Sequence, residues 1–423
     1  MHVAILGNGV AGVTAALRLR QKRPAWRITL ISGESTYHYS RPALMYVFMG
    51  HLSYADTKPF EDHSWAEQRI DLVRDWVVGI DVADRRLQLH RGTPIHYDQL
   101  LIATGSKPNT FGWPGEDLAG VQGLWGLVDL KLLYDNVQHA ERAVVVGGGL
   151  IGIELAEMLH SRGLCVTFLV REDTYWGGTL PAEESAMVND GIRAAGMELR
   201  LSTELASIED DGRGRAGAVV TKGGERIACQ LVGLTAGVSP NVDLVRDTPI
   251  RVGRGVLVDR SLRTSVPGIF AAGDCAEVAA EPGGQNLINQ VWYTGKMQGE
   301  VAADVLAGEE RAYDPGIWFN SAKFLDLEYQ VYGKVGYQLP GEASLFWRHP
   351  TEPRSIRIVH QAGRVVGFNL MGVRWRHAVC ERWLAEAATV DHVVEHLEQA
   401  AFDPELSERC EDAARAAFRS AVR

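Results

Sequence analysis

The sequence predicts an α/β fold with two parallel, doubly wound sheets and a smaller α+β region after them. Three observations carry this expectation. Residues 3–19 read as strand, glycine turn and helix, and residues 143–159 repeat that order about 140 residues later. Each unit is followed by a second apolar strand, residues 27–32 and 165–170, and such strand–helix–strand units build parallel sheets. From about Pro315 the pattern changes to strands at residues 356–360 and 365–370, then helices at about 378–388 and 390–400 and a polar helix at 404–423.

The first glycine turn is Gly7-Asn8-Gly9-Val10-Ala11-Gly12. Its first glycine permits the tight turn, its second lets a pyrophosphate approach the backbone, and its third lets helix and strand pack closely. The helix start presents free N–H groups and a positive dipole end to phosphate. A carboxylate near the end of the second strand would take ribose hydroxyls, and Glu34 stands there. The second turn is Gly147-Gly148-Gly149-Leu150-Ile151-Gly152. Here Val170 occupies the expected acid position and Arg171 follows it. An arginine there suits a 2′-phosphate, which favours NADPH, with NADH the alternative. Two such turns argue for two dinucleotides.

Between the turns, residues 72–78 and 86–90 read as strands and 100–103 as a short buried strand, while residues 107–120, rich in Pro and Gly, suit a crossover. Residues 198–234 are β-rich, and residues 268–274 form an apolar strand ending in Gly273-Asp274. The expected division is a discontinuous domain of residues 1–110 and 245–314, a second domain of 111–244, and a C-terminal α+β domain of 315–423 with a helical extension.

A chain of 423 residues with 46% hydrophobic and 23% charged residues suits two or three globular domains. Its formal net charge of −10 disfavours nucleic acid and anionic membranes as partners. No apolar stretch approaches the roughly 20 residues that span a bilayer. The strand-like run at residues 2–6 is not preceded by a charged segment or followed by a long apolar stretch, so no signal peptide is expected. The cysteine count of 5, with no CxxC pair, fits a reducing cytoplasm and neither a disulfide framework nor a zinc site. A homodimer is the base-rate expectation.

Taken in order, Gly7–Gly12, Glu34, Tyr39-Ser-Arg-Pro42, Leu101-Ile-Ala-Thr-Gly105, Gly147–Glu154, Ala236-Gly237 and Gly268–Asp274 resemble the FAD-dependent pyridine-nucleotide oxidoreductases, closest to the ferredoxin and rubredoxin reductase branch. That resemblance implies two Rossmann-like domains, one for FAD and one for NAD(P), with a C-terminal α+β interface domain. It implies that Ala103, Thr104 and Gly105 close over FAD, that Asp274 binds the ribityl chain, and that the helix after Asp274 points at the flavin. Arg41 and Pro42 would lie by the flavin and pyrophosphate, and Val77 would meet the adenine through its backbone. Gly237 belongs to the same set. Glu154 would sit near the nicotinamide amide and Trp292 would contact the nicotinamide. Residues 318–333 resemble the strand that opens the interface domain, and Arg374-Trp375-Arg376-His377 could contact an acidic partner or the cofactor, with a solvated face over a packed Trp375 the alternative.

Two departures stand out. The branch usually carries a lysine close to the flavin, paired with the glutamate; Tyr46 stands at that place. No cysteine precedes Cys165, so the redox thiol of disulfide reductases is absent from its usual position. Glu154, Tyr46 and Trp292 are the expected groups at the reacting centre, and no metal is expected. The resemblance implies hydride transfer from NAD(P)H to the flavin and onward transfer to a small iron–sulfur protein. A small-acceptor oxidase or quinone-type reductase and a slowly turning redox sensor are the alternatives.

Overall fold

The structure, a computed structural model, describes residues 1–280, 284–336, 339–402 and 409–422. The chain divides into two compact units. The first comprises Met1–Phe111, Gly123–Asp135 and Gly237–Pro315; the second comprises Gly112–Gln122, Asn136–Ala236 and Gly316–Arg423.

In the first unit five parallel strands lie in the order Ile269–Ala271, Gln99–Ile102, His2–Leu6, Arg27–Ile31, Ile70–Val73. The chain runs outward from His2–Leu6 on one side and then fills the other. The resulting switch point lies at the carboxyl end of His2–Leu6, where doubly wound sheets take ligands. The three central strands are buried past their first residue and almost wholly apolar there, while the edge strand Ile70–Val73 buries only Ile70. The helix Val10–Lys22 packs against Trp292–Leu306 at close range: a Cβ on Gly299 would lie 2.4 Å from the carbonyl oxygen of Ala11. Asp304 clamps the pair, accepting from Arg18 at 2.6 Å, Lys22 at 3.0 Å and Arg311 at 2.5 Å. Burial alone would raise its pKa, but these three cations hold its carboxyl well below the usual range.

Local chemistry redraws several expected elements here. Residues 72–78 are not one strand. Ile70–Val73 joins the parallel sheet and Val77–Asp81 opens a separate antiparallel ribbon. The break is at Asp75, whose carboxylate accepts from the backbone N–H of Trp76, Arg91 and Gly92. The element after Asp274 is the short strand Ala276–Val278, and the next helix starts only at Trp292. Ser106–Pro108, overlapping the start of the crossover expected at residues 107–120, pairs antiparallel with Val238–Pro240.

The second unit carries its own five-stranded parallel sheet, Glu198–Arg200, Cys165–Leu169, Arg142–Val146, Leu231–Leu234, Val121–Gln122, with the switch point at Arg142–Val146. It also holds a five-stranded antiparallel sheet, Phe319–Phe324, Leu327–Gly333, Arg364–Met371, Ser355–Gln361, Glu342–Arg348. Residues 318–333 are therefore a hairpin rather than one strand, turning at Leu325 with φ 55°. Helices His377–Ala385, Val390–Glu395 and Glu411–Val422 bury Trp383, Val393 and Phe418 in the core that holds Phe368 and Trp375. The last helix is thus amphipathic rather than polar; residues 404–408 and 423 lie outside the described residues. Trp375 is core, and Arg374 is bound to Glu328.

A buried ion pair joins helix Ala182–Ala194 to the antiparallel sheet. Arg357 donates to Glu184 at 2.7 Å and 2.9 Å, to Glu183 at 2.7 Å and to Ser344 at 2.8 Å. Glu184 is 0% exposed. Among the described residues no helix is long and apolar enough to cross a membrane, and no cluster of side chains could hold a metal ion.

Candidate functional site

In the first unit the glycine turn sits at the switch point. Gly7 has φ 105°, and a Cβ there would fall 2.1 Å from the carbonyl oxygen of Ala103. A Cβ on Gly12 would fall 2.0 Å from that of Gly7. These two glycines are steric requirements of the turn itself. Gly9 differs: nothing lies within 4 Å of where its Cβ would be. The open space lies before the helix that begins with Val10 and Ala11, whose first turn has no acidic residue and no side-chain cap. Uncapped N–H groups behind an open glycine fit an incoming pyrophosphate.

Glu34 lies nearby on the chain after Arg27–Ile31. It accepts from the Tyr39 hydroxyl at 2.5 Å and pairs with Arg41. Arg41 opens a short 3-10 turn with Pro42, which leads into the helix Leu44–Met49 carrying Tyr46. The Tyr46 ring faces His51 at 6.2 Å. Thr104 donates to the carbonyl of Asn241 at 2.8 Å, and the Asn241 N–H donates to the carbonyl of Gly105 at 2.9 Å. Gly105 and Gly237 have φ 70° and 87°, and the carbonyl of Gly237 accepts from the Asn109 N–H at 3.0 Å. The Gly273 N–H donates to Gln298 at 2.7 Å. Asp274 accepts from the Ser106 hydroxyl at 2.8 Å; burial raises its pKa, opposed by Ser106 and Arg41. The Gln290 side-chain nitrogen is buried without a partner among the described residues, a donor available to a ligand. Val77 pairs with Leu89 in the ribbon. Trp292 is the first residue of its helix and is 47% exposed, with its ring edge-on to Tyr293 at 5.6 Å and the Lys296 ammonium over the ring at 5.8 Å.

The second unit repeats the turn. Gly147 has φ 127°, and its Cβ would fall 2.5 Å from the carbonyl oxygen of Thr235; Gly152 is held 2.9 Å from that of Gly147 by the same measure. Gly149 again faces open space, ahead of an uncapped helix Leu150–Ser161 that begins with Leu150 and Ile151. Tyr175, fully buried, donates to the carbonyl of Gly149 at 2.8 Å and so braces the turn. Asn189 in turn holds the backbone of Tyr175 at 3.0 Å. Arg171 is exposed and donates to Glu172 at 2.7 Å.

Glu154 lies one turn into that helix. Burial pushes its carboxyl from 4.5 up to about 7, and Glu157 one turn on adds repulsion. Glu157 itself pairs with Lys323 at 2.9 Å. The linkage sign is destabilising. As pH rises from about 4.5 to about 7 the unfolded chain releases this proton before the folded one, so stability falls across that window and the loss is constant above it. Glu154→Gln is expected to leave the melting midpoint unchanged near pH 4 and to raise it by several degrees near pH 8. Parallel melting curves for variant and parent across that range would contradict this.

Both turns therefore fit a dinucleotide, and the first unit adds a buried acid and an orphaned donor. Sequence reasoning missed Ser106, Asn241, Gln298, Tyr175 and Asn189. Each acts through a partner at least 14 residues away in the chain, and no short motif marks it.

Comparison with known proteins follows the same lines. The family model described as pyridine nucleotide-disulphide oxidoreductase matches residues 1–299. The ferredoxin–NAD(+) reductase component of the biphenyl dioxygenase system of Paraburkholderia xenovorans is 32% identical over 309 residues, covering 73% of this chain and 75% of that one. Rhodocoxin reductase of Rhodococcus erythropolis is 32% identical over 332 residues, covering 77% and 76%. A solved ferredoxin reductase from Rhodopseudomonas palustris superposes with a TM-score of 0.82 at 26% identity, covering 98% of this chain and 99% of that one.

Proposed function

Because the chain belongs to the pyridine nucleotide-disulphide oxidoreductase family and is an FAD-dependent NAD(P)H oxidoreductase, we propose that it delivers electrons to a small iron–sulfur protein of the ferredoxin or rubredoxin kind. One observation carries this choice within the family. Residues 1–164 contain no cysteine, so no thiol stands where disulfide reductases keep theirs. The naming of one relative as a ferredoxin–NAD(+) reductase component supports the same reading.

We assign FAD to the first unit, and read the second as an NAD(P) module joined to a C-terminal module. Bound FAD would supply the ability to take a hydride from nicotinamide and pass electrons on singly. The chain's own groups would bind and align. Gly9, Val10 and Ala11 would leave N–H groups for the pyrophosphate, Glu34 would take the ribose, and Asp274 the ribityl chain. Gly149, Leu150 and Ile151 would do the same for the second nucleotide, with Glu154 and Trp292 orienting the nicotinamide and Tyr46 replacing a cation beside the flavin. Alignment is the catalytic contribution here, since hydride transfer needs no side-chain acid or base. The formal net charge of −10 means that an acidic carrier must dock through local charge complementarity. We read the five free thiols as suiting a reducing compartment such as the cytoplasm.

We further read NADPH as the better donor through Arg171. Arg171→Ala is expected to cut kcat/KM for NADPH roughly tenfold and to spare NADH. Equal losses with both would remove that reading. The acceptor is tested by anaerobic stopped-flow reduction followed by mixing with a ferredoxin, a rubredoxin, a quinone or air. Fast reoxidation by an iron–sulfur protein is the expected result. Reoxidation only by quinone or air would make this a small-acceptor oxidase, and slow reoxidation by all of them a sensor.

A further inference from the structure

The first unit takes back Gly123–Asp135 from between two stretches that belong to the second. What holds this segment is a set of contacts to the residues assigned to the FAD site. The Leu127 N–H donates to Glu34 at 3.0 Å, and Arg41 donates to the carbonyl of Trp125 at 2.8 Å. The Arg41 guanidinium lies 5.5 Å from the ring centroids of both Tyr39 and Trp125. Asp129 accepts from the N–H groups of Trp125 and Gly126 at 2.8 Å and 2.9 Å, which fixes the turn. Farther along, Tyr134 donates to the carbonyl of Val47 at 3.0 Å and its ring packs on Phe48 at 4.9 Å.

Gly126 is the point of closest approach. A Cβ there would lie 2.2 Å from a Glu34 carboxylate oxygen and 3.0 Å from an Arg41 nitrogen. Glu34 thus receives donors from Tyr39, Arg41 and the strap's own backbone. An ionised carboxylate offers about four acceptor positions. Three of those donors converge on one oxygen, Oε1, which sets the rotamer, while Oε2 is paired with Arg41 alone and keeps acceptor capacity to face a ribose.

We propose that Gly123–Asp135 is a retaining strap for the adenosine end of FAD, with Gly126 and Asp129 as positioning residues that hold Glu34 and Arg41 in their binding geometry. The proposal rests on the reading that the first unit takes FAD. A strap that preorganises these two side chains removes the cost of ordering them when the nucleotide binds, and so slows its release.

The test compares Gly126→Val, Gly126→Ala and Asp129→Ala with the parent, all checked for folding by circular dichroism. Flavin is stripped, and FAD, ADP and FMN are titrated back by calorimetry. FAD and ADP are expected to bind roughly tenfold more weakly in Gly126→Val and Asp129→Ala, with FMN affinity unmoved. Equal weakening of FAD and FMN would mean a general loosening and overturn the strap, as would unchanged FAD and ADP in a folded variant. If Gly126→Val fails to fold, Gly126→Ala and Asp129→Ala carry the comparison. A parent protein that takes up no FAD at all would remove the reading beneath the proposal, an outcome distinct from a parent that binds FAD as tightly as its variants do.

Discussion

Replacing Arg357 by alanine is expected to destabilise the second unit by about 3–5 kcal/mol. The reason is the company that Arg357 keeps. It satisfies Glu184, which has no contact with water, and reaches Glu183 and Ser344 besides, with Phe346 under its guanidinium at 4.5 Å. Truncation leaves an ionised carboxylate in an apolar setting, and that uncompensated charge is the dominant cost. Removing both charges tests the account. Arg357→Met with Glu184→Leu should recover most of the loss, because the pair's mutual attraction does little more than offset its desolvation. Urea unfolding followed through Trp375 and Trp383, both in the adjoining core, reads the unit directly. A single variant within about 1 kcal/mol of the parent would show that water reaches Glu184 readily.

The second large effect separates the two nucleotide sites without disturbing the fold. Gly9 and Gly149 have φ −70° and −118°, backbone that any residue adopts, and both face open space. A glutamate at either place should be accommodated. Its carboxylate would nevertheless occupy the uncapped N–H groups where a pyrophosphate has to sit. Gly9→Glu is expected to weaken FAD binding by about a hundredfold or more, giving a colourless protein of parental secondary structure. Gly149→Glu should stay yellow and lose reduction by either nicotinamide nucleotide. Purification, an absorbance spectrum and one anaerobic mixing experiment decide it. If Gly149→Glu lost its flavin and Gly9→Glu kept it, the assignment of the two turns would have to be exchanged.

These contrasts also explain what the sequence could reveal. A glycine turn is legible because its steric demands are local: Gly7 and Gly12 are forced by backbone within the turn and one neighbouring strand. The central parallel strands His2–Leu6, Arg27–Ile31, Gln99–Ile102, Arg142–Val146 and Cys165–Leu169 were legible because burial makes them apolar almost throughout, whereas the shorter edge strands were not. Elements set by distant polar partners were not. Nothing in residues 72–78 announces that Asp75 will collect amides from residues 91 and 92 and end a strand. The hairpin at Leu325 depends on a left-handed residue that is not glycine. The expected helix behind Asp274 came from analogy, whereas the chain first makes the strand Ala276–Val278, pairing parallel with Val256–Val258. At the candidate site the glycines and Glu34 were proposed from type and spacing, and Asp274 from the resemblance alone. Tyr175 and Ser106 were not, since a buried hydroxyl and its carbonyl or carboxylate partner leave no trace in local composition.

The distribution of thiols has a practical consequence for anyone who wishes to watch this protein work. Cys165, at the start of Cys165–Leu169, is exposed, while Cys229, Cys275, Cys380 and Cys410 are buried. Burial raises the pKa of the Cys229, Cys275 and Cys380 thiols, which suppresses the reactive thiolate further. Toward a maleimide the native chain should behave as though it had a single cysteine. A dye attached there would report on the second unit alone, apart from the flavin assigned to the first, so that nucleotide binding at the second glycine turn could be followed with no engineered residue.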